Sequence, residues 1–253
     1  MTDLSAFSLE GRTIMVTGAN TGIGQGIAVA CARAGATVLG VARSDTSETA
    51  ALVRKESGTL QALHCRLEDL AGARAMLEAA WAERPIDGLV NNAGIIRRAD
   101  AADTTEADWD EVLTLNLRTL FFLSQAYGRL VLSAGRTGKI VNIASLLSFE
   151  GGIRVPAYAA SKHGVAGVTQ ALCNEWAARG INVNAIAPGY IESNNTRALR
   201  ADPDRSAAIL GRIPAGRWGA PSDIGDAAVF LLSAASNYMH GAVIPVDGGW
   251  LAR

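Results

Sequence analysis

Tyr158 and Lys162 stand four residues apart in the stretch Tyr158-Ala159-Ala160-Ser161-Lys162, a spacing that puts both on one face of a helix. A phenol titrates near ~10 and is a poor base at neutral pH unless something favours its phenolate. An ammonium group one turn away does so, because an opposite charge stabilises the ionised form. Thirteen residues before Tyr158, Ser145 closes a buried apolar run and brings a hydroxyl able to donate to the same substrate oxygen. A phenol, an ammonium and a hydroxyl so placed can move a proton on and off an alcohol oxygen. Such a pair also occurs on ordinary solvated helix faces, so the elements upstream must decide what it means.

The run from Lys139 to Ala144 reads as a buried strand, followed by a Gly-rich loop and a long helix entered near Pro156. At the other end of the chain, residues 12–17 form an apolar run that leads into Thr17-Gly18-Ala19-Asn20-Thr21-Gly22-Ile23-Gly24. This is a strand, a glycine-rich turn and a helix start. Its glycines let backbone approach a pyrophosphate, and the N–H groups and dipole of the helix start favour that charge. The spacing is G-x-x-x-G-x-G rather than the commoner G-x-G-x-x-G. A second strand, Ala36 to Ala42, carries no acid at its end, and Arg43 follows. An acid there would hold a ribose hydroxyl, whereas an arginine suits a 2′-phosphate, which tilts the residue reading toward NADP(H).

Strands are expected near Leu60 to Cys65 and Ile86 to Val90, the latter running into Asn91-Asn92-Ala93-Gly94. Two amides and two small residues let a backbone lie against a flat ligand while the amides fix the loop. A helix from about Asp108 to Leu132 carries Asn116 in an otherwise apolar stretch. A buried amide needs partners, so it satisfies backbone groups at a local bend or holds a water. A further strand, Asn182 to Ala187, ends in Pro188-Gly189. Residues 190–216 then form a connection longer than usual and are read as a substrate lid. Pro221 opens another helix, and a last strand, Ala242 to Val246, leads to the C-terminal Asp247-Gly248-Gly249-Trp250. Strands and helices alternate without a composition break. The expected fold is therefore α/β: a single Rossmann-type doubly wound parallel sheet of about seven strands over residues 1–253, with helices on both faces.

Composition narrows the classes. With 49% hydrophobic and 19% charged residues the chain is not a disordered one, and a net charge of -1 speaks against nucleic-acid or membrane surfaces. Cys31, Cys65 and Cys173 give neither a zinc pattern nor a disulfide framework, and no metal site is expected. The N-terminal residues lack a basic and then apolar leader, and no stretch is apolar enough to span a membrane, so a cytoplasmic protein is expected.

Together TGANTGIG, NNAG, Asn116, Ser145, YAASK and the Pro-Gly after the following strand resemble the short-chain dehydrogenase/reductase family along the whole chain. The resemblance implies a catalytic tetrad of Asn116, Ser145, Tyr158 and Lys162. It implies cofactor contacts from Gly18, Asn20, Thr21, Gly22, Ile23, Gly24, Asn91, Ala93, Gly94, Tyr158, Lys162, Pro188, Gly189 and Ile191, besides Arg43. Many members have an aspartate where Arg66 stands. The stretches NNAGIIRR, NIASLLSFEGGIRVPAYAASK, NEWAARGINVNAIAPGY and VDGGWLAR are similar to the branch acting on deoxy sugar acids, 2-deoxy-D-gluconate or 2-dehydro-3-deoxy-D-gluconate. That branch is generally NAD(H)-dependent, against the tilt from Arg43, and the family resemblance implies a homotetramer. A sugar acid brings a carboxylate, so substrate contacts are expected from Arg154 and Arg98 besides Ser145 and Tyr158, with Asn194 and Asn195 of the lid meeting hydroxyls. Two other readings compete: a 3-oxoacyl carrier-protein reductase or another sugar or polyol dehydrogenase of the same family, and a non-catalytic nucleotide sensor on the same fold.

Overall fold

All five residues of β1, Thr13–Thr17, are buried, and they divide between two cores: Ile14 and Val16 pack into one, Met15 into the other. Successive side chains of a strand point to opposite faces, so a strand apolar throughout must be covered on both sides. The computed structural model describes residues 4–253; of the N-terminal stretch read for a leader, Met1, Thr2 and Asp3 lie outside the described residues. β2 Thr37–Ala42, β3 Thr59–His64, β4 Gly88–Asn91, β5 Gly138–Ile143, β6 Ile181–Pro188 and β7 Val243–Val246 complete a seven-stranded sheet. Its order is β3-β2-β1-β4-β5-β6-β7, and every pairing is parallel. The sheet matches the expected architecture, with strand ends within a few residues of those read from sequence.

One face is covered by α1 Gly22–Arg33 and α9 Pro221–Leu232, which bury Ile27, Ala28, Cys31, Ile224, Ala228 and Leu231. These helices touch backbone to backbone: a Cβ on Gly225 would fall 2.7 Å from the Gly26 carbonyl oxygen. The other face carries α3 Leu70–Glu83, α5 Leu120–Ser133 and α6 Pro156–Trp176, which contribute Leu77, Leu123, Leu172 and Trp176. α2 Ser47–Lys55 packs Val53 beside α1.

The helix expected from Asp108 to Leu132 is three pieces. α4 Glu106–Leu113 passes into a π-helical stretch, Thr114–Thr119, before α5 begins. Asn116 lies in the widened turn and is buried. Widened turns of this kind free a side chain to bond elsewhere and often mark functional positions. The segment read as a lid holds α7 Arg197–Ala201 and α8 Pro203–Arg212. Asp202 caps α8 by accepting the Asp204 and Arg205 N–H groups, each at 3.1 Å. Ile209 and Ile213 pin the segment against Leu146 and Trp250. No helix among the described residues is long and apolar enough to cross a membrane.

Candidate active site

The strand order reverses between β1 and β4, and in an open parallel sheet ligands bind at that point, beyond the carboxyl ends of the strands. Thr17 ties the two loops together there. Its hydroxyl accepts the N–H groups of Asn92 and Ala93 at 2.9 and 3.0 Å, and its carbonyl accepts Asn92 Nδ2 at 2.8 Å. Gly18 and Gly22 adopt φ of +66° and +57°, conformations that glycine enters at no steric cost. Thr21 makes no side-chain bond to the first turn of α1, so the N–H groups there remain to meet an anion. A cleft of about 340 Å³ opens over this turn, with Tyr158 and Lys162 at one end and Ala42, Arg43 and Ser44 at the other. A glycine-walled cleft over an open helix start fits a dinucleotide.

Of the residues expected at the cofactor, Gly18, Asn20, Thr21, Gly22, Ile23, Arg43, Ala93, Gly94, Tyr158 and Lys162 line this cleft. The others lie outside its lining. Gly24 acts by close packing, since a Cβ there would sit 2.1 Å from the Gly18 carbonyl oxygen. Asn91 is buried and donates to Ser124 and Asn142, both at 2.9 Å, so its amide braces β4 rather than facing a ligand. Ile191 is buried in the α1–α9 core and pairs with Gly219, and Gly189 is pressed against Asp247 while Pro188 ends β6. Cys65, Leu67 and Glu68 line the cleft without having been read from sequence as ligand contacts, as do Ser44, Ile95 and Ser193; Asn92 of the Asn-Asn-Ala-Gly turn lines it too. The signal was positional: the residues just beyond every parallel strand face the same crevice. Arg66, between Cys65 and Leu67, is exposed and outside the lining. Glu68 reaches Arg43 at 3.2 Å.

Tyr158 and Lys162 share one face of α6 at the end of the cleft, with the Lys162 Nζ 5.5 Å from the centre of the Tyr158 ring. Lys162 is 4% exposed, and its Nζ donates to the Ile143 carbonyl at 2.6 Å. Burial pushes the Lys162 ammonium down to about 8, and burial also pushes the Tyr158 phenol up. The groups that oppose the rise at Tyr158 are the Ser145 hydroxyl, by a hydrogen bond, and the Arg98 guanidinium, by its charge. The sequence reading has Lys162 favour the phenolate; in the protein without cofactor, burial acts on the phenol in the opposite direction.

Asn116 binds backbone on both sides of its amide. Its Oδ1 accepts the Ile95 N–H at 2.9 Å, and its Nδ2 donates to the Ile95 carbonyl at 2.9 Å and to Ser161 Oγ at 3.2 Å. Ser161 in turn donates to the Tyr158 carbonyl at 2.7 Å. Asn116 thus joins the loop after β4 to the turn of α6 that carries Tyr158, the first of the two outcomes expected for it. Ser161 is a link that sequence reasoning missed.

Among the expected substrate contacts, Arg98 donates to the Asn195 carbonyl at 3.1 Å, and Asn194 and Asn195 line the cleft. Arg154 has φ +63° and meets Asp100 at 3.0 Å on the surface. It borders a second cavity, of about 630 Å³, that it shares with Arg98, Tyr190 and Trp250.

The fold and the site define an oxidoreductase of the dinucleotide-binding class. A family model described as enoyl-(acyl carrier protein) reductase matches residues 18–251. The 2-dehydro-3-deoxy-D-gluconate 5-dehydrogenase of Escherichia coli (strain K12) is 55% identical over 251 residues, 99% of each chain. The enzyme of the same description from Bacillus subtilis (strain 168) is 54% identical over 249 residues, 98% of each. A solved structure from Agrobacterium tumefaciens, assigned as a 2-deoxy-D-gluconate 3-dehydrogenase with bound NADP, is 60% identical and superposes with a TM-score of 0.94 over 98% of this chain and 99% of its own. The chain belongs to the short-chain dehydrogenase/reductase family.

Proposed function

We propose that the protein interconverts a secondary alcohol and a ketone of a deoxy sugar acid, 2-deoxy-D-gluconate or 2-dehydro-3-deoxy-D-gluconate, with NADP(H) as hydride carrier. The observation that carries the chemistry is the set at the end of the glycine-walled cleft: Tyr158 with the Ser145 hydroxyl beside it, and buried Lys162 one turn along α6. The substrate class is supported by relatives that match along their full length.

Gly18, Gly22 and the first turn of α1 would hold the pyrophosphate, Arg43 the 2′-phosphate, and Lys162 the hydroxyls of the nicotinamide ribose. When bound, the nicotinamide supplies the site that gives or takes the hydride. In the reductive direction Tyr158 donates its proton to the substrate oxygen, for which a phenol kept protonated by burial is suited. Ser145 donates a hydrogen bond to the same oxygen. In the oxidative direction Tyr158 takes that proton back, with Lys162 offsetting the charge that forms on the phenolate. Asn116 positions Tyr158 through Ser161 and holds the loop after β4. The segment 190–216 closes over the substrate, and the chain assembles as a homotetramer in the cytoplasm.

The test is the rate at which the near-ultraviolet absorbance of the reduced nicotinamide changes with each of the two sugar acids, paired with NAD⁺ and with NADP⁺, and in reverse with the corresponding ketones. Turnover of either acid supports the reading. Turnover of acetoacetyl thioesters in preference to both would replace it with an acyl reductase. Cofactor binding without turnover of anything would favour the sensor.

A further inference from the structure

The cavity beside the cleft is ringed by guanidinium groups. Arg98 enters it from the loop after β4, and Arg205 and Arg212 enter from α8, where their spacing of seven residues puts them on one face. Ile209, between them, is buried against Leu146 and Trp250, so that face of α8 is turned toward the body of the protein. Among the described residues, Arg98, Arg205 and Arg212 form no ion pair, whereas Arg154 at the same cavity is matched by Asp100. One unmatched acid, Asp202, also lines the cavity, where its Oδ1 caps α8, and Glu150 accepts the indole N–H of Trp250 at 3.0 Å, so the lining keeps an excess of positive charge. Arg212 lies 3.9 Å over the Trp250 ring, and the Tyr190 ring meets Trp250 at a tilt, with centroids 4.7 Å apart. All three cations are close enough to Tyr190 to oppose the rise that burial causes in its phenol.

Like charges gathered around one concave surface repel one another, a cost that an anion entering the cavity would relieve. Arg98 connects this cavity to the chemistry, since its charge acts on Tyr158 and it holds Asn195 of the cleft wall. We propose that Arg98 and Arg205, with Arg212 held flat on Trp250, form the carboxylate clamp of the substrate, so that α8 of the lid reads the acid end of the sugar while Tyr158 acts on a carbon further along. This rests on the sugar-acid reading above and adds the residues that make an acid, rather than a neutral polyol, the preferred ligand.

The experiment measures binding apart from turnover. D-gluconate and its uncharged analogue D-gluconamide are titrated onto the NADP⁺-bound full-length protein, following tryptophan fluorescence, for the wild type, Arg205→Ala, Arg205→Lys and Arg98→Ala. Thermal midpoints and NADP⁺ affinity check that each variant is folded. The clamp predicts that the wild type favours gluconate, that either alanine variant loses gluconate affinity by about tenfold or more with the amide within about twofold, and that Arg205→Lys recovers part of the loss. Equal losses for both ligands, unchanged gluconate affinity in the variants, or a wild type indifferent to the carboxylate would overturn it. If gluconate binds through these arginines and yet neither sugar acid is turned over, the clamp stands and the proposed reaction falls.

Discussion

Arg43 Nη1 lies 3.2 Å from Glu68 Oε1, an ion pair that joins the end of β2 to the loop after β3 at the rim of the cleft. Both side chains are partly exposed, so the pair is worth at most about 1 kcal/mol and opens readily. Arg43 is therefore free to turn to a phosphate, but Glu68 stays beside it as a like charge to that phosphate. Cofactor choice at this rim depends on two residues, and only one of them was visible at a strand end.

Glu68→Gln should tighten NADPH by roughly fivefold and leave NADH nearly unchanged, because the carboxylate meets only the 2′-phosphate. Arg43→Ala should weaken NADPH by about tenfold or more with little effect on NADH. Dissociation constants from the fluorescence of each reduced cofactor decide the matter; equal changes for the two cofactors would mean that this pair does not read the phosphate.

Tyr158→Phe keeps the ring and removes the hydroxyl that is the proposed acid and base. The expected loss in kcat is on the order of a thousandfold, with NADPH affinity within about threefold since the glycine cradle is untouched. Initial rates and NADPH titration on the same preparation measure both. Activity above about a tenth of the wild type would remove Tyr158 from the reaction.

Lys162 gives a pH signature in the cofactor-free protein. Its ammonium normally titrates at 10.5 and burial lowers it to about 8. Below pH 8 both the folded and unfolded chains carry the proton, and the folded state bears the full cost of a buried charge. Between about 8 and 10.5 the unfolded chain binds more protons at this site than the folded one, so stability rises with pH. Relative to Lys162→Met, the wild type should gain on the order of 3 kcal/mol across that window. Lys139, also lowered to about 8 by burial, contributes equally to both proteins and cancels. Urea midpoints of the two proteins at pH 7.5 and 10 test this; parallel shifts would show that Lys162 does not titrate there.

Much of this architecture is written locally. The short run Thr13–Thr17, apolar at its centre and closed by a Gly-rich turn, reads as a strand covered on both faces, and Pro156 announces the helix that sets Tyr158 and Lys162 on one face. What escaped depends on distance through space. Glu68 meets Arg43 only because β3 lies beside β2, and Ser161 matters only because a widened turn points Asn116 at it. The spacing of Tyr158 and Lys162 gave their proximity but not the burial of Lys162, whose Nζ is held against the Ile143 carbonyl at the end of β5. Asn91 looked like a ligand contact because an amide at a strand end often is one, yet its neighbours Ser124 and Asn142 claim it.

Asn116 offers a test of positioning as distinct from chemistry. Asn116→Ala removes three hydrogen bonds and leaves the half-buried Ile95 N–H and carbonyl without these partners. Each orphaned group costs about 1–3 kcal/mol, so a large fall in thermal midpoint is expected together with a fall in kcat. Asn116→Asp keeps the acceptor for the Ile95 N–H but loses the donor, and should be intermediate in stability. If Asn116→Ala lost activity with its midpoint unchanged, the residue would be acting on the reaction itself and not through Ile95 and Ser161.

Gly24 separates the shape of the cradle from its composition. A methyl group at this position would lie 2.1 Å from the Gly18 carbonyl oxygen and 2.4 Å from Asn92 Nδ2. Neither can retreat freely, because Gly18 accepts Asn92 Nδ2 at 3.3 Å and Thr17 fixes Asn92 in turn. Gly24→Ala must therefore open the turn between β1 and α1 and pull Asn92 from its bonds, moving both walls of the cleft at once. Elsewhere in a helix the same substitution would favour folding by about 1 kcal/mol. Here the expected outcome is a lower thermal midpoint and NADPH affinity weakened by more than about tenfold. Differential scanning fluorimetry with and without NADPH measures both. A variant with wild-type affinity and a raised midpoint would show that the turn has room the structure denies, and would remove the close approach of Gly24 and Gly18 from the account of how this chain holds a dinucleotide.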